Sequence, residues 1–565
     1  MIKATKIVLK ILLFKVIHFF SWIPFTLPKT INNLKAYFGH YGMQEYWKSY
    51  PNNKNNRNKV IIYGLRTYAT HHQAVFEKVS SDFFRFNGAN VKNLVCGNVL
   101  PSCDGDTAMD SKVLCYICRK ERKYHIKNFP NDFIYFNQFI SKSEVEQIND
   151  EVENLSDGEL ENYQYMGVNV GRHALDSVEF AFQFLFDKNN VLHLRKLRDS
   201  VYRGMITVKV AKNLHEIEKP THLLTLHGCY TSWGPFSEYL GRQGVNVYVF
   251  GMGWTPGLGY LEFNKWTLNE DKMKDVRKDV PAKTTWEQKK NEPLLKEQKE
   301  QIHSFLLKRK EGKSFDYLTF YEKKNGMDDE FIKSLNSTRK KFVLYMHSLW
   351  DRGFEDVASD CFEGHIEWLR ETIEYFMRNR KDAYLFIKPH PAEYSVWDYQ
   401  KHGGGDVILN LFNKLPDNII LMQNNLPFTS YDLMDKGCIG ITYFGTVGLE
   451  YSFFKKPVLV AGNTHYTDPG VVYKIKSKNE YFQLIDNPDP LYIFPHASYD
   501  IIEKYAYHYI FRQNMRIPFY KDDMWLGHCI DWEVLKNYKY FIENDKAMNH
   551  IVNSILNNID VVNID

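Results

Sequence analysis

Eight cysteines among 565 residues are too few to staple a chain of this length, and no run of about 18 apolar residues is available to cross a bilayer. A disulfide scaffold and a polytopic membrane protein are thereby excluded, and a reducing compartment is expected. An excess of charge of one sign is missing too: 72 Lys and Arg stand against 68 Asp and Glu, a net +4, so the chain as a whole has no pull toward nucleic acid. No cleavable signal peptide is clear, and no Asp-x-Asp stands out as a nucleotide–metal motif. What is present is an ordinary globular composition, 44% hydrophobic and 25% charged. At roughly 100–200 residues per domain, the length fits about three domains, or two large ones with appendages.

Two local features depart from this average. The first 44 residues hold six lysines and no acid before Glu45. On a helical wheel Lys3, Lys6, Lys10, Lys15 and His18 share one broad side, while Ile7, Leu9, Leu12, Leu13, Val16 and Phe20 occupy much of the rest. Such a basic amphipathic helix suits peripheral contact with the inner face of the cytoplasmic membrane better than a span, because Lys10 and Lys15 would sit in hydrocarbon; a helix packed on a core with its lysines in water and a short signal anchor are the alternatives. The second feature is the cluster Cys96, Cys103, Cys115 and Cys118. Its spacing can place four thiolates around one zinc ion, but no histidine joins it, and a set of reduced thiols at the edge of a small subdomain is the preferred reading.

The rest of the chain alternates strands and helices. Val60–Gly64, a loop with His71 and His72, a helix over Gln73–Phe86 and a strand over Val91–Cys96 open a doubly wound parallel sheet. His222–Leu226, a loop at His227-Gly228, a helix over Pro235–Arg242 and the strand Val245–Phe250 repeat the unit. Between Asp271 and Lys310 the sequence turns charged, with 12 Lys/Arg against 7 Asp/Glu, and reads as a solvated helical insertion or linker. A second series follows: strands at Phe342–Met346, Ala383–Ile387, Ile419–Met422, Ile439–Tyr443 and Val458–Ala461, with an amphipathic helix over Glu363–Arg378. The fold class expected is α/β, two Rossmann-like halves parting near residue 330, with helices after Pro490 crossing back over the first domain.

Lys388-Pro389-His390-Pro391 follows a buried strand at its carboxyl end, where ligands of open α/β sheets bind. A lysine and a histidine fixed by prolines offer a phosphate charge and a hydrogen bond; a plain turn is the alternative. Gly445-Thr446-Val447-Gly448-Leu449-Glu450 again follows a strand and opens a helix. Its glycines admit a ligand to the backbone, the helix start offers N–H groups, and Thr446 adds a hydroxyl donor. Glu450 is spaced to accept from sugar hydroxyls. The next strand leads into Gly462-Asn463-Thr464-His465-Tyr466, which places His465 among the substrate-binding groups. The Lys388 and Gly445 loops are expected on neighbouring strands, forming one nucleotide-phosphate cradle.

These segments, taken in order with Val343-Leu344-Tyr345-Met346-His347-Ser348-Leu349-Trp350-Asp351, Ser430-Tyr431-Asp432-Leu433-Met434-Asp435 and Lys456-Pro457-Val458, resemble capsule and surface polysaccharide biosynthesis glycosyltransferases of the GT-B fold. The resemblance extends over residues 340–485; the first half is similar in its Cys96 to Cys118 pattern and in His227-Gly228-Cys229-Tyr230 followed by Trp233-Gly234. That family includes enzymes using CMP-activated Kdo-type sugars and is distantly similar to teichoic-acid polyol-phosphate transferases.

The resemblance implies two Rossmann-like domains facing a cleft. Residues 51–335 form an acceptor domain with a charged insertion at 262–315, residues 336–490 a nucleotide-sugar domain, and residues 1–50 and 491–565 the amphipathic and helical ends. It implies transfer of a sugar from a nucleotide donor to a glycan or glycolipid acceptor in the cytoplasm, with no required cofactor or metal and no nucleic acid. Lys388, His390, Thr446 and the backbone of Gly445 and Gly448 fall to the leaving phosphate, and Glu450 to the ribose or sugar. His227 is the candidate base, with His71 and His72 as rivals; Asp351 is either a cleft residue or the cap of the next helix. Polyol-phosphate transfer, sugar-nucleotide epimerisation and a non-catalytic role in glycan assembly are the competing functions.

Overall fold

The computed structural model describes Asn52, residues 57–64, 71–102, Cys115, Cys118, 133–182, 186–226, 228–252, 259–266, 282–312, 329–347, Ser359, 361–390, 404–422, 428–521 and 530–563. The expected amphipathic segment at 1–50, Cys103, His227 and Asp351 lie outside these residues, as do the side chains of His71 and His72. Among the described residues no helix is long and apolar enough to cross a membrane. No group of three or more His, Cys, Asp or Glu among them is placed to hold a metal ion.

The fold is mixed α/β, in two compact units that each carry a sheet. The first unit draws its described residues from 1–181, 186–276 and 513–565. Its strands are β1 (Lys59–Tyr63), β2 (Asn90–Val95), β3 (Phe133–Tyr135), β4 (His222–Leu226), β5 (Asn246–Met252), β6 (Tyr260–Lys265) and, from the end of the chain, β12 (Asn514–Arg516). They lie in the order β12-β6-β5-β4-β1-β2-β3, parallel except that β6 runs against both β5 and β12. β4 lies in the middle with β1 and β5 on either side, and Val60 to Tyr63 and His222 to Leu226 are all buried, as expected of strands covered on both faces. His222 tolerates this because its Nδ1 lies 2.9 Å from the Thr221 hydroxyl, and burial pushes its pKa down to about 4.

The helix His71–Phe86 joins β1 to β2, and its inner end carries a buried charge cluster. Asp82 accepts from Lys78 Nζ at 2.6 Å, Arg85 Nη1 at 3.0 Å and the Tyr538 hydroxyl at 2.7 Å. Tyr538 begins the helix Tyr538–Asn544, and Phe541 in that helix meets Phe83 edge to face with centroids 5.5 Å apart. The returning tail is thus tied to this unit by a strand, a phenol and an aromatic pair.

The second unit draws on 182–185 and 277–512. Its strands β7 (Lys341–Tyr345), β8 (Tyr384–Lys388), β9 (Ile419–Leu421), β10 (Ile439–Thr442) and β11 (Val458–Val460) form a wholly parallel sheet ordered β11-β10-β7-β8-β9. The helix His365–Asn379 covers one face by burying His365, Trp368, Leu369, Thr372, Ile373 and Phe376, a spacing of three and four residues that gives one apolar stripe. The Tyr481 hydroxyl anchors it, accepting from Trp368 Nε1 at 2.9 Å and lying 2.9 Å from the Thr372 hydroxyl.

The charged stretch before this sheet is not the solvated insertion its composition implies. Residues 260–265 are β6 of the first sheet, while the helices Lys283–Lys289 and Lys296–Lys310 belong to the second unit. They bury Trp286 and the stripe Ile302, Phe305, Leu306 and Arg309; Trp286 meets Tyr505 edge to face at 4.9 Å. The lysines line the water side, so the charge count conceals an apolar face.

Candidate functional site

In the second unit the chain lays down β7 in the middle, adds β8 and β9 on one side, then returns to add β10 and β11 on the other. The direction reverses between β7 and β10, and in open parallel sheets the crevice at the carboxyl ends of such strands is where ligands bind. Four segments converge on this edge: His347 after β7, Lys388 and His390 at the end of β8, Phe444 to Thr446 after β10, and Gly462 to Tyr466 after β11. The Lys388 and Gly445 loops were expected on adjacent strands. β7 lies between them instead, and it contributes a histidine.

His347 is a residue no motif in the sequence singles out by role. It is 8% exposed, and its Nε2 accepts the Phe444 N–H at 2.7 Å, which assigns the ring proton to Nδ1. The ring lies over Gly445, where an added Cβ would stand 3.1 Å from Cε1 and 3.4 Å from Nδ1; Gly445 also has φ +126°, a conformation only glycine adopts freely. His347 therefore shapes the Gly445 loop from the neighbouring strand. The Tyr466 hydroxyl clamps the same loop from β11 by donating to the Gly445 carbonyl, and it leaves no room for a Cβ on Gly448, which would come within 2.4 Å of it.

The electrostatics are those of a desolvated basic patch. Burial pushes Lys388 down to about 8, partly opposed by Asp432, and burial with the Lys388 charge pushes His390 down to about 4. His347 is held well below its ordinary value by burial, then by His365 and His390. At neutral pH Lys388 is mostly charged while the imidazoles are neutral. An anion bound among them would favour their protonated forms, so binding would take up protons.

Thr446 and Glu450 point inward. The Thr446 hydroxyl donates to Glu450 Oε1 at 3.3 Å, and Arg309 Nε stands 3.5 Å from the same oxygen, with Glu450 4% exposed. The carboxylate expected to accept from a sugar thus accepts from its own chain, and the hydroxyl expected to donate to a phosphate is directed at Glu450. Arg309, from the charged stretch, is the partner that no local pattern foretells. His465 lies on the edge side of the Gly445 loop, packed against Tyr466, Tyr505 and Tyr509.

The first sheet reverses direction in the same way, between β1 and β4. Gly64 ends β1 under the carboxylate of Glu77; a Cβ at residue 64 would meet Glu77 Oε2 at 1.9 Å. Among the described residues this carboxylate has no hydrogen-bond partner, and burial raises its pKa from 4.5 to about 8. Because the unfolded carboxyl releases its proton near 4.5 and the folded one near 8, the unfolded state binds fewer protons in between, and stability falls as pH rises through that window. Glu77→Gln is expected to remove this slope, raising Tm by about 3–6 °C at pH 8.5 and changing it little at pH 4.5. Parallel scans across pH check it; unchanged slopes would place Glu77 in solvent.

The family of capsule polysaccharide biosynthesis proteins matches residues 276–506. This stretch is distantly related to that family. No curated protein matches the chain. Among solved structures, it is similar to Thermosulfurimonas dismutans KpsC, beta Kdo 2,4 transferase, at 14% identity over 53% of this chain and 82% of that one, with a TM-score of 0.34. It is also similar to the Neisseria meningitidis UDP-GlcNAc 2-epimerase bound to UDP-GlcNAc, at 13% identity over 79% and 97%, with a TM-score of 0.24. Values this low do not carry a function across.

Proposed function

We propose that the chain is a glycosyltransferase of capsule or surface polysaccharide biosynthesis, taking a sugar from a nucleotide-activated donor, with CMP-linked Kdo-type sugars favoured, to a glycan or lipid-linked acceptor. The observation that carries this reading is the basic crevice at the β7 and β10 edge, where Lys388, His390, His347 and the glycine loop Gly445–Gly448 converge. The family match over the same unit supports it.

The bond that breaks joins the anomeric carbon to a phosphate oxygen, and its electron pair leaves with the phosphate. Lys388 meets the growing negative charge with an ammonium, His390 with a ring N–H, and the loop with backbone N–H groups, supplying stabilisation that a divalent ion would otherwise give. The acceptor hydroxyl forms the new bond and gives its proton to a base, a role for which the family resemblance makes His227 the candidate.

The test is a panel of CMP-, CDP-, UDP- and GDP-linked sugars. One class should raise Tm by mass action and lose its nucleotide when acceptor is added, with binding that takes up protons as measured by calorimetry in two buffers. A donor isomerised without release of its nucleotide would replace this reading with epimerisation. Binding of none would remove the nucleotide-sugar reading altogether.

A further inference from the structure

His465 follows β11 in a setting that fixes its protonation and orientation. The Tyr505 hydroxyl is fully buried and touches it twice, donating to the His465 carbonyl oxygen at 2.9 Å and lying 2.8 Å from Nδ1. A phenol has one proton. The one arrangement that satisfies both contacts gives that proton to the carbonyl and makes the ring the donor from Nδ1, which leaves a lone pair on Nε2. The ring is held by aromatic neighbours: Tyr509 at 4.2 Å between centroids, Tyr466 edge to face at 4.9 Å, and Tyr505 at 6.0 Å. Tyr509 reaches this position from a π-helical turn, His508–Arg512, an irregularity frequent at functional sites.

Among the described residues Nε2 of His465 has no partner, and it is not enclosed; the residue is half-buried. The same ring leans on Tyr466, whose hydroxyl clamps the Gly445 loop. An oriented acceptor therefore stands beside the loop at the crevice. Burial pushes its pKa down to about 3, which favours the neutral ring and its lone pair in the ligand-free protein.

We propose that His465 is a specificity-determining residue that accepts, through Nε2, the O–H of a sugar ring joined directly to the bound phosphate, with Tyr505 as its positioning residue. The proposal rests on the nucleotide-sugar reading of this crevice. A ribose hydroxyl and a hydroxyl of the transferred sugar offer the same chemistry, and the test separates them.

The experiment measures calorimetric Kd for CMP, CDP, UDP and GDP, their 2′-deoxy and 3′-deoxy forms, and the matching nucleotide sugars. The proteins are the full chain, His465→Phe, which keeps a ring for the stacking, and Tyr505→Phe, which removes only the group that sets the tautomer. Losing one oriented hydrogen bond should weaken binding by about 5- to 20-fold in His465→Phe, and by less in Tyr505→Phe. If the ribose is read, one deoxy form binds the wild type and His465→Phe equally. If the transferred sugar is read, free nucleotides bind all three proteins alike and only the nucleotide sugars lose affinity. A wild type that binds these ligands while both variants match it within twofold, at unchanged Tm, overturns the role of His465 and leaves the crevice reading intact. A wild type that binds none removes both.

Discussion

His390→Ala is expected to lower transfer on the order of 100–1000-fold while leaving Tm nearly unchanged. The loss is large because the ring works where charge develops, on the phosphate as it departs, in a site from which water is largely removed. The fold should survive because His390 is half-buried in a loop beyond the end of β8 and outside the second unit's apolar core. The effect should fall on kcat more than on KM, since a ring N–H strengthens its hydrogen bond as the oxygen gains charge. His390 is already neutral near pH 7, so its removal should abolish no pH limb there. Lys388 is different: its ammonium is present below about 8 and lost above, so kcat/KM of the free enzyme should decline as pH rises past that value. Thr446→Val gives the contrast, because that hydroxyl serves Glu450 and its loss should cost stability more than turnover. Wild-type transfer by His390→Ala, on a donor shown to bind, would strip the Lys-Pro-His-Pro loop of its role.

Asp82→Ala should destabilise the first unit by about 3–5 kcal/mol, seen as an earlier urea transition. The carboxylate is wholly buried and balances two cations, Lys78 and Arg85, whose side chains are at most 6% exposed. Truncation leaves both charges uncompensated where solvent cannot reach them, which costs more than the pair contributed. Tyr538→Phe removes one hydrogen bond to the same carboxylate and should cost about 1 kcal/mol. If Asp82→Ala unfolds within 1 kcal/mol of wild type, water enters the cluster and the tail is held by its apolar contacts alone.

The strands were legible because parallel strands buried on both faces are written as unbroken apolar runs: Val60 to Tyr63, His222 to Leu226 and Phe342 to Tyr345 each coincide with one. The placement of the proposed site loops was legible for a related reason, since a Pro-His-Pro or a glycine pair directly after such a run marks a strand's carboxyl end. Strand order was not written this way. Nothing local says that β7 lies between β8 and β10, and so nothing local says that His347 joins the crevice. Arg309 was hidden because its pairing with Glu450 links distant segments, and because the surrounding lysines make the helix read as solvent-facing. Glu450 was legible as a carboxylate one turn into a glycine-opened helix, but its burial beside Arg309 was not, because that pairing is made across the unit. Asp104-Gly105-Asp106, an Asp-x-Asp within the cysteine cluster, lies outside the described residues.

The position of β12 bears on the order in which the ribosome can complete the protein. Residues 277–512 are nearly the whole of the second unit and emerge as one continuous piece, so they can fold as soon as they clear the exit tunnel. The first unit begins earlier but waits longer, because β6 lacks its outer partner until residues 514–516 appear and the Asp82 cluster lacks its phenol until Tyr538 does. During that interval β6 is an uncovered sheet edge carrying Tyr260, Leu261 and Phe263, a template for pairing with another nascent chain. A clone stopped near residue 512 would freeze the molecule in that state, whereas one that starts near residue 277 and stops at 512 would omit no strand of its sheet.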